Sequence, residues 1–200
     1  MVYNMLITAL SCALIFYNAY YHLKTWNKIP EVPTREVTAS KILQAIYGLT
    51  MCTTSLLYLL GFIEENIWYN AQSIPTGYIV FLMIIDKNFN LLSLSYIIIL
   101  NYHLLYTCPL HPVKSATMHI GEFIMIINTQ IYFLLHEKNR DVKKINFYNA
   151  ICIIFFFIFK VFITFLWFIY EYDNLGYLAR LSILYIWIRN VNKFIKCIYS

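Results

Sequence analysis

The sequence predicts an all-α fold, a polytopic transmembrane helix bundle of about seven spans. Of the 200 residues, 60% are hydrophobic and only 12% are charged, whereas soluble domains are about 45–50% apolar and about 25% charged. Apolar runs of membrane length alternate with short loops, and the basic residues are concentrated in alternate loops. The basic residues behind the net charge of +5 therefore indicate membrane orientation by their placement in loops. We expect no nucleic-acid partner.

Seven apolar runs are the candidate spans. They are Val2–Tyr21, Ile42–Ile63, Pro75–Asp86, Asn90–Cys108, Thr117–His136, Phe147–Tyr170 and Leu175–Arg189. The first has no basic segment before it and no clean small-residue cleavage site, which favours a retained anchor over a signal peptide. The third is shorter than the ~20 residues that a free span needs, so we expect neighbouring helices to bury it.

The distribution of basic residues predicts the orientation of these spans. The segments rich in Lys and Arg are 22–41, 137–146 and the C-terminal tail. The loops at 64–74 and 171–174 contain acidic residues and no Lys or Arg. Seven spans place every basic segment on one side of the membrane, with Lys114 as the main exception. Basic loops are cytoplasmic, so we expect a lumenal or external N-terminus and a cytoplasmic C-terminus.

The expected organisation is an N-terminal membrane anchor with a basic cytoplasmic loop at 1–34, followed by one transmembrane domain at 35–200. The five cysteines are scattered without paired spacing, so we expect no metal site and no resident cofactor. Tyr, Phe, Ile, Asn and Lys are abundant, and AT-rich codons specify all of them. This composition hints at a parasite, a slime mould or a large DNA virus, and a viral chain would occupy a host membrane.

Glu122 is the most informative residue because it lies inside the fifth predicted span. In a continuous helix it is about 9 Å from the hydrocarbon edge, where an unpaired carboxylate costs at least ~2.5 kcal/mol. His119, Glu122, Thr129, Gln130 and His136 fall within about a third of the helix circumference. This polar stripe is expected to face the bundle interior, either for function or to link helices.

Three residues are candidate partners of Glu122. His103, on the fourth predicted span, lies at matched depth and would form an acid–base pair, or alternatively stay neutral and donate to a backbone carbonyl. Lys160 lies in the middle of the sixth span and Arg180 one turn into the seventh, and either long side chain can reach that depth. A pair between Glu122 and Lys160 would be a structural explanation of the carboxylate, in competition with a catalytic one.

Five segments in order along the chain are typical of one family. They are Gly77–Tyr78, GEFIMIINTQIYFLL at 121–135, Asn149–Ala150, FFFIFKVF at 155–162 and LSILYIWIRNVNKFIK at 181–196. The chain thereby resembles the TLC domain family, which includes ceramide synthases and translocon-associated relatives, over roughly residues 35–196. The resemblance and the polar residues together predict a polar bundle interior. Its members are Tyr102, His119, Thr129, Asn149, Lys160 and Arg180.

The chain departs from the family pattern at several functional positions. Leu82 stands where the family usually has Asp, with Asp86 one turn later, and Gln44 replaces a usual His. Ceramide synthases use two adjacent histidines where this chain has only His103, and Lys160 stands where Arg is usual. A lone histidine would have to act as base and proton donor unaided.

The resemblance implies three functions, in decreasing order of support. The first is lipid homeostasis, by binding or adjusting sphingolipids or phospholipids in the bundle, in the endoplasmic reticulum or another internal membrane. The second is sphingoid-base N-acyl transfer from acyl-CoA as substrate, with His103 as base and Tyr102 or Glu122 orienting the amine. The third is a transporter or a cargo or translocon-associated receptor, although no inverted repeat is visible. The expected partners are membrane lipids and further subunits in a homo- or hetero-oligomer.

Overall fold

The computed structural model describes residues 2–86, 95–96, 98–99, 112–137, 139–171, 173 and 176–199. Every secondary-structure element in this part of the chain is helical, which confirms the predicted all-α class. The elements are α1 (Val2–Thr25), α2 (Arg35–Leu59), α3 (Glu65–Ala71), α4 (Ser73–Asp86), α5 (Pro112–Ile120), α6 (Phe123–His136), α7 (Val142–Phe155), a π-helical segment (Phe156–Ile163), α8 (Thr164–Glu171) and α9 (Tyr177–Tyr199).

Within the described residues, three helices are long and apolar enough to cross a membrane. They are α2 at Arg35–Leu59, α5 with α6 at Pro112–His136, and the helix that runs from α7 to α8 at Val142–Tyr170. The chain is therefore compatible with a membrane protein, and the total of seven spans and the orientation stay predictions. Most of the predicted span Asn90–Cys108, including Tyr102 and His103, lies outside the described residues.

The ends of two spans differ from the sequence prediction because local signals move them. The side chain of Thr34 accepts a hydrogen bond from the Val37 N–H at 3.3 Å and starts α2. The chain leaves α2 through Gly61, whose φ of 76° is costly for any residue with a Cβ, so α2 ends before the predicted limit at Ile63. Asp141 caps α7 by accepting from the Lys144 N–H at 3.1 Å. Helix α7 therefore begins at Val142, five residues before the predicted start at Phe147.

Helix α4 packs on α1. Its described part has 14 residues, or about 21 Å. A Cβ at Gly77 would lie 2.6 Å from the Ala9 carbonyl oxygen and 2.6 Å from the Cys12 Cβ. The glycine therefore lets α4 approach the backbone of α1, as small residues do between membrane helices.

Helix α2 lies at the centre of the bundle, in contact with α1, α4, α5 and α6. Its Tyr47 ring stacks on Tyr78 of α4 at 4.2 Å between centroids, within a core that includes Met51 and Phe81. A second core of Trp167, Ala179 and Ile183 joins α8 to α9. Many Leu, Ile and Phe side chains are exposed on the outside, as expected for a lipid-facing surface.

Candidate functional site

The polypeptide makes a tight turn at Gly121 and Glu122, between α5 and α6. The Gly121 N–H donates to the Met118 carbonyl at 3.1 Å, and the Glu122 N–H donates to the His119 carbonyl at 3.0 Å. This three-residue spacing is tighter than that of an α-helix. The predicted span Thr117–His136 is therefore not one uniform helix.

Two glycines allow neighbouring helices to approach this turn. A Cβ at Gly48 of α2 would lie 2.6 Å from the Glu122 carbonyl oxygen and 2.8 Å from the Met125 Cβ. A Cβ at Gly121 would lie 2.6 Å from the Phe159 Cβ in the π-helical segment. Contacts this short exclude a methyl group, so both neighbours pack directly on the backbone that carries Glu122.

Glu122 forms an ion pair with Lys160. The Lys160 Nζ donates to the Glu122 Oε1 at 2.7 Å, and Glu122 is only 8% exposed. Glu122 lies ten residues, or about 15 Å, from the first described residue of the candidate span Pro112–His136. Arg180 is half-buried on the first turn of α9, and His103 lies outside the described residues. Lys160 is thus the candidate partner whose contact with Glu122 the structure describes.

Lys160 lies in the π-helical segment Phe156–Ile163, which interrupts an otherwise α-helical span. Side chains of α9 bind two backbone carbonyls there. The Asn190 Nδ2 donates to the Lys160 carbonyl at 3.3 Å, and the Trp187 Nε1 donates to the Val161 carbonyl at 3.1 Å. A change of helical pitch frees carbonyls from the α-helical pattern, and in a membrane such groups must find partners within the protein.

Five side chains form a polar layer that separates two cavities. The polar layer consists of Tyr96, His119, Glu122, Lys160 and Asn190, each of which lines both cavities. The small cavity has a volume of about 130 Å³ and is otherwise walled mainly by apolar side chains. They are Ile99, Met118, Phe159, Trp167, Ile183 and Ile186.

The large cavity lies on the other side of the polar layer and has a volume of about 680 Å³. Outside the polar layer, its wall has an apolar part and a polar part. The apolar wall includes Tyr47, Ile79, Leu82, Ile124, Met125 and Phe156. The polar part, here called the polar mouth, consists of Gln44, Asn128, Arg189, Asn192 and Lys193. Arg189, Asn192 and Lys193 are exposed, so the cavity reaches the surface there.

The other predicted interior residues have different positions. His119 is buried in the polar layer, with its ring edge-on to Trp68 at 6.1 Å between centroids. Thr129 is buried and links two helices, since its Oγ1 donates to the Lys41 carbonyl of α2 at 3.1 Å. Asn149 is exposed and lines a third cavity, of about 440 Å³, away from Glu122. Tyr102 lies outside the described residues.

The predicted polar stripe holds only in part. Gln130 and His136 are exposed, although the stripe was expected to face the bundle interior. Gln130 follows Thr129 by one residue, or 100° of helix, which turns it away from α2. Thr129 therefore matches the helix-linking interpretation, whereas His119 and Glu122 face the cavities.

Sequence reasoning did not assign the α9 side chains that complete the site. Ile183, Ile186, Asn190 and Lys193 are spaced by three or four residues and lie on one helix face. That spacing was visible in the sequence. The spacing does not show which neighbour this face contacts, and in the structure it lies toward Glu122.

Comparison with protein-family models, with curated proteins and with solved structures gave no match to this chain. The resemblance to the TLC domain family thus depends on the sequence segments alone. The cavities and the polar layer are the structural features that bear on function.

Proposed function

We propose that this chain is a multi-pass membrane protein that binds lipid inside its helix bundle and acts in membrane lipid homeostasis. The observation that carries the proposal is the large cavity, which combines an apolar wall with a buried ion pair and with exposed basic side chains. Its volume of about 680 Å³ lies within the range of about 300–1,000 Å³ that ligand pockets have. The resemblance to the TLC family supports the same function.

The shape and polarity of the cavity suit an amphiphile. An acyl chain would lie along the apolar wall of α2, α4 and α6, and polar atoms would meet the polar layer or the polar mouth. Lipid tails are already surrounded by hydrocarbon in the bilayer, so the apolar wall provides room and little affinity. Selection among lipids must therefore come from the polar and charged side chains.

The first experiment measures the lipid that copurifies with the protein in mild detergent, by mass spectrometry. Ile79→Trp places an indole in the large cavity, so we expect the amount of bound lipid to fall severalfold. Ile84→Trp is the matched control, because Ile84 is on the same helix but exposed and outside the cavity wall. Equal lipid content in all three proteins, each folded, would contradict the proposal.

A second experiment distinguishes the N-acyltransferase alternative from lipid binding. It requires His103 as base, because Glu122 is engaged with Lys160. Lipidomics of cells that express wild type, His103→Ala or Glu122→Gln separates the functions. Ceramides that rise with wild type and not with His103→Ala would place the enzyme first, while an unchanged lipid profile would count against both readings.

A further inference from the structure

We infer that the lipid held in the large cavity carries a phosphate monoester headgroup, bound at the polar mouth by Arg189 and Lys193. The inference rests on the proposed function and names the class of lipid. A phosphate monoester linked to an acylated or sphingoid backbone has this chemistry.

The charge of the cavity wall supports an anionic ligand. Three bases line the large cavity, Lys160, Arg189 and Lys193, against the single carboxylate of Glu122 among its described residues. Lys160 is neutralised by Glu122 at 2.7 Å. Among the described residues, the positive charges of Arg189 and Lys193 therefore remain at the polar mouth. A phosphate monoester carries about −1.5 to −2 charge near pH 7, which matches them, whereas a fatty-acid carboxylate supplies only one.

The arrangement of the two bases at the polar mouth also suits a phosphate. Arg189 and Lys193 are four residues apart on α9, so their side chains are neighbours on one helix face. The Lys193 Nζ lies 5.7 Å from the centroid of the Phe156 ring, which places the ammonium group over the cavity wall. The planar donor fork of arginine binds two phosphate oxygens at once, and lysine adds a point charge.

A third cation lies beside the polar mouth. The Lys41 Nζ donates to the Oε1 of Gln44 at 3.2 Å, and Gln44 is part of the cavity wall. The Gln44 amide itself donates to the Met125 sulfur at 2.9 Å, which holds its side chain across the wall. A neutral lipid such as a diacylglycerol would leave Arg189 and Lys193 without an anionic ligand inside the cavity.

The test compares two lipids that differ only by the phosphate. Dioleoyl phosphatidic acid and dioleoylglycerol are titrated into the detergent-solubilised full chain, and the bound fraction is measured by native mass spectrometry. We expect phosphatidic acid to bind about tenfold more tightly to wild type, as charge-assisted hydrogen bonds imply. Arg189→Gln with Lys193→Gln should bring the two affinities to within about twofold, with dioleoylglycerol binding unchanged.

A double variant with the same loss of charge is the control. Arg140→Gln with Lys143→Gln removes two exposed bases that do not line the cavity, so the preference for phosphatidic acid should be retained. Thermal unfolding of each variant checks that it is folded. Inorganic phosphate, added alone and as a competitor, should bind far more weakly than phosphatidic acid.

Each contrary outcome has a distinct meaning. Equal binding of both lipids to wild type would overturn the phosphate inference and leave the lipid-binding proposal in place. Binding of neither lipid would overturn the proposed function as well. An equal loss of preference in the control variant would reduce the effect to general surface charge, and tight binding of inorganic phosphate would make the ligand a soluble phosphate. Either result would overturn the inference.

Discussion

The ion pair between Glu122 and Lys160 is the residue-scale feature on which the site depends. Both side chains are more than two-thirds buried, and their charged atoms are 2.7 Å apart. Removing two charges from water is costly, and close geometry repays that cost only while both partners are present. A pair of this kind is better suited to holding a cavity wall in one arrangement than to adding net stability.

Loss of one partner should therefore destabilise the protein more than loss of both. We expect Lys160→Met to cost about 3–5 kcal/mol, because it leaves the Glu122 carboxylate buried without a cation. The double variant Glu122→Gln with Lys160→Met should recover most of that loss. Thermal unfolding in detergent measures the effect, with exposed Lys143→Met as the control. Additive losses in the double variant would show that the two side chains are not coupled.

Gly48 is the second residue whose identity the structure explains. An added methyl group would lie 2.6 Å from the Glu122 carbonyl oxygen, so Gly48→Ala must push α2 away from the turn. We expect a loss of about 1–3 kcal/mol from overpacking, although alanine favours the helix itself by about 1 kcal/mol. Gly176→Ala is the control, since no described atom lies within 4 Å of a Cβ there. Unfolding that is equal for both variants would argue against the close approach of α2.

At the scale of elements, the π-helical segment explains how Lys160 is placed. Its carbonyls bind side chains of α9 while its Lys160 side chain binds Glu122 between α5 and α6. The segment thus connects Asn190 of α9 with Glu122, two members of the polar layer. A regular α-helix would direct Lys160 differently, because one wider turn rotates every following side chain.

The π-helical segment should depend on Asn190. Asn190→Leu removes the donor to the part-buried Lys160 carbonyl, and we expect a loss of at most about 1–3 kcal/mol, the cost of a fully buried carbonyl without a partner. Asn192→Leu, at an exposed position two residues later, should change stability far less. Thermal unfolding compares the two variants, and native mass spectrometry then measures whether bound lipid falls with Asn190→Leu. An Asn190→Leu protein as stable as the Asn192→Leu protein would contradict the supporting role.

At the scale of the whole molecule, the predicted topology decides which face of the membrane the polar mouth of the cavity meets. With a cytoplasmic C-terminus, Arg189 and Lys193 face the leaflet surface that carries anionic lipids. The structure also indicates where a glycosylation site can be inserted to test this topology. Helix α3 occupies Glu65–Ala71 and buries Trp68, so an inserted glycosylation site belongs at 61–64.

Glycosylation at two inserted sites should therefore differ. We expect modification of a site at 61–64, which seven spans place in the lumen, and none of a site at 139–143, which they place in the cytoplasm. Protection from an added glycosidase and mobility on a gel measure the outcome. Modification at 139–143 would overturn the seven-span topology and move the polar mouth of the cavity to the opposite face.

The sequence by itself determined the class of the protein and the residue to ask about. Hydrophobic composition and span length are local properties of the chain, so the helical class and the three long apolar helices followed without coordinates. The conspicuous cost of a carboxylate among Ile, Phe and Met identified Glu122. Lys160 was one of three possible partners, because charge and depth along a helix do not define rotation about its axis.

Only the tertiary structure decided between those partners and assembled the cavities. The turn at Gly121, the close approach at Gly48 and the π-helical segment each alter rotation or distance by an amount set by packing between helices. Asn190 joins the site because Ile183 packs against Trp167 in the core and turns that face of α9 inward. Arg189 and Lys193 lie at the exposed edge of this face. Periodicity predicts that a helix has a face, but contacts between distant parts of the chain decide what that face meets.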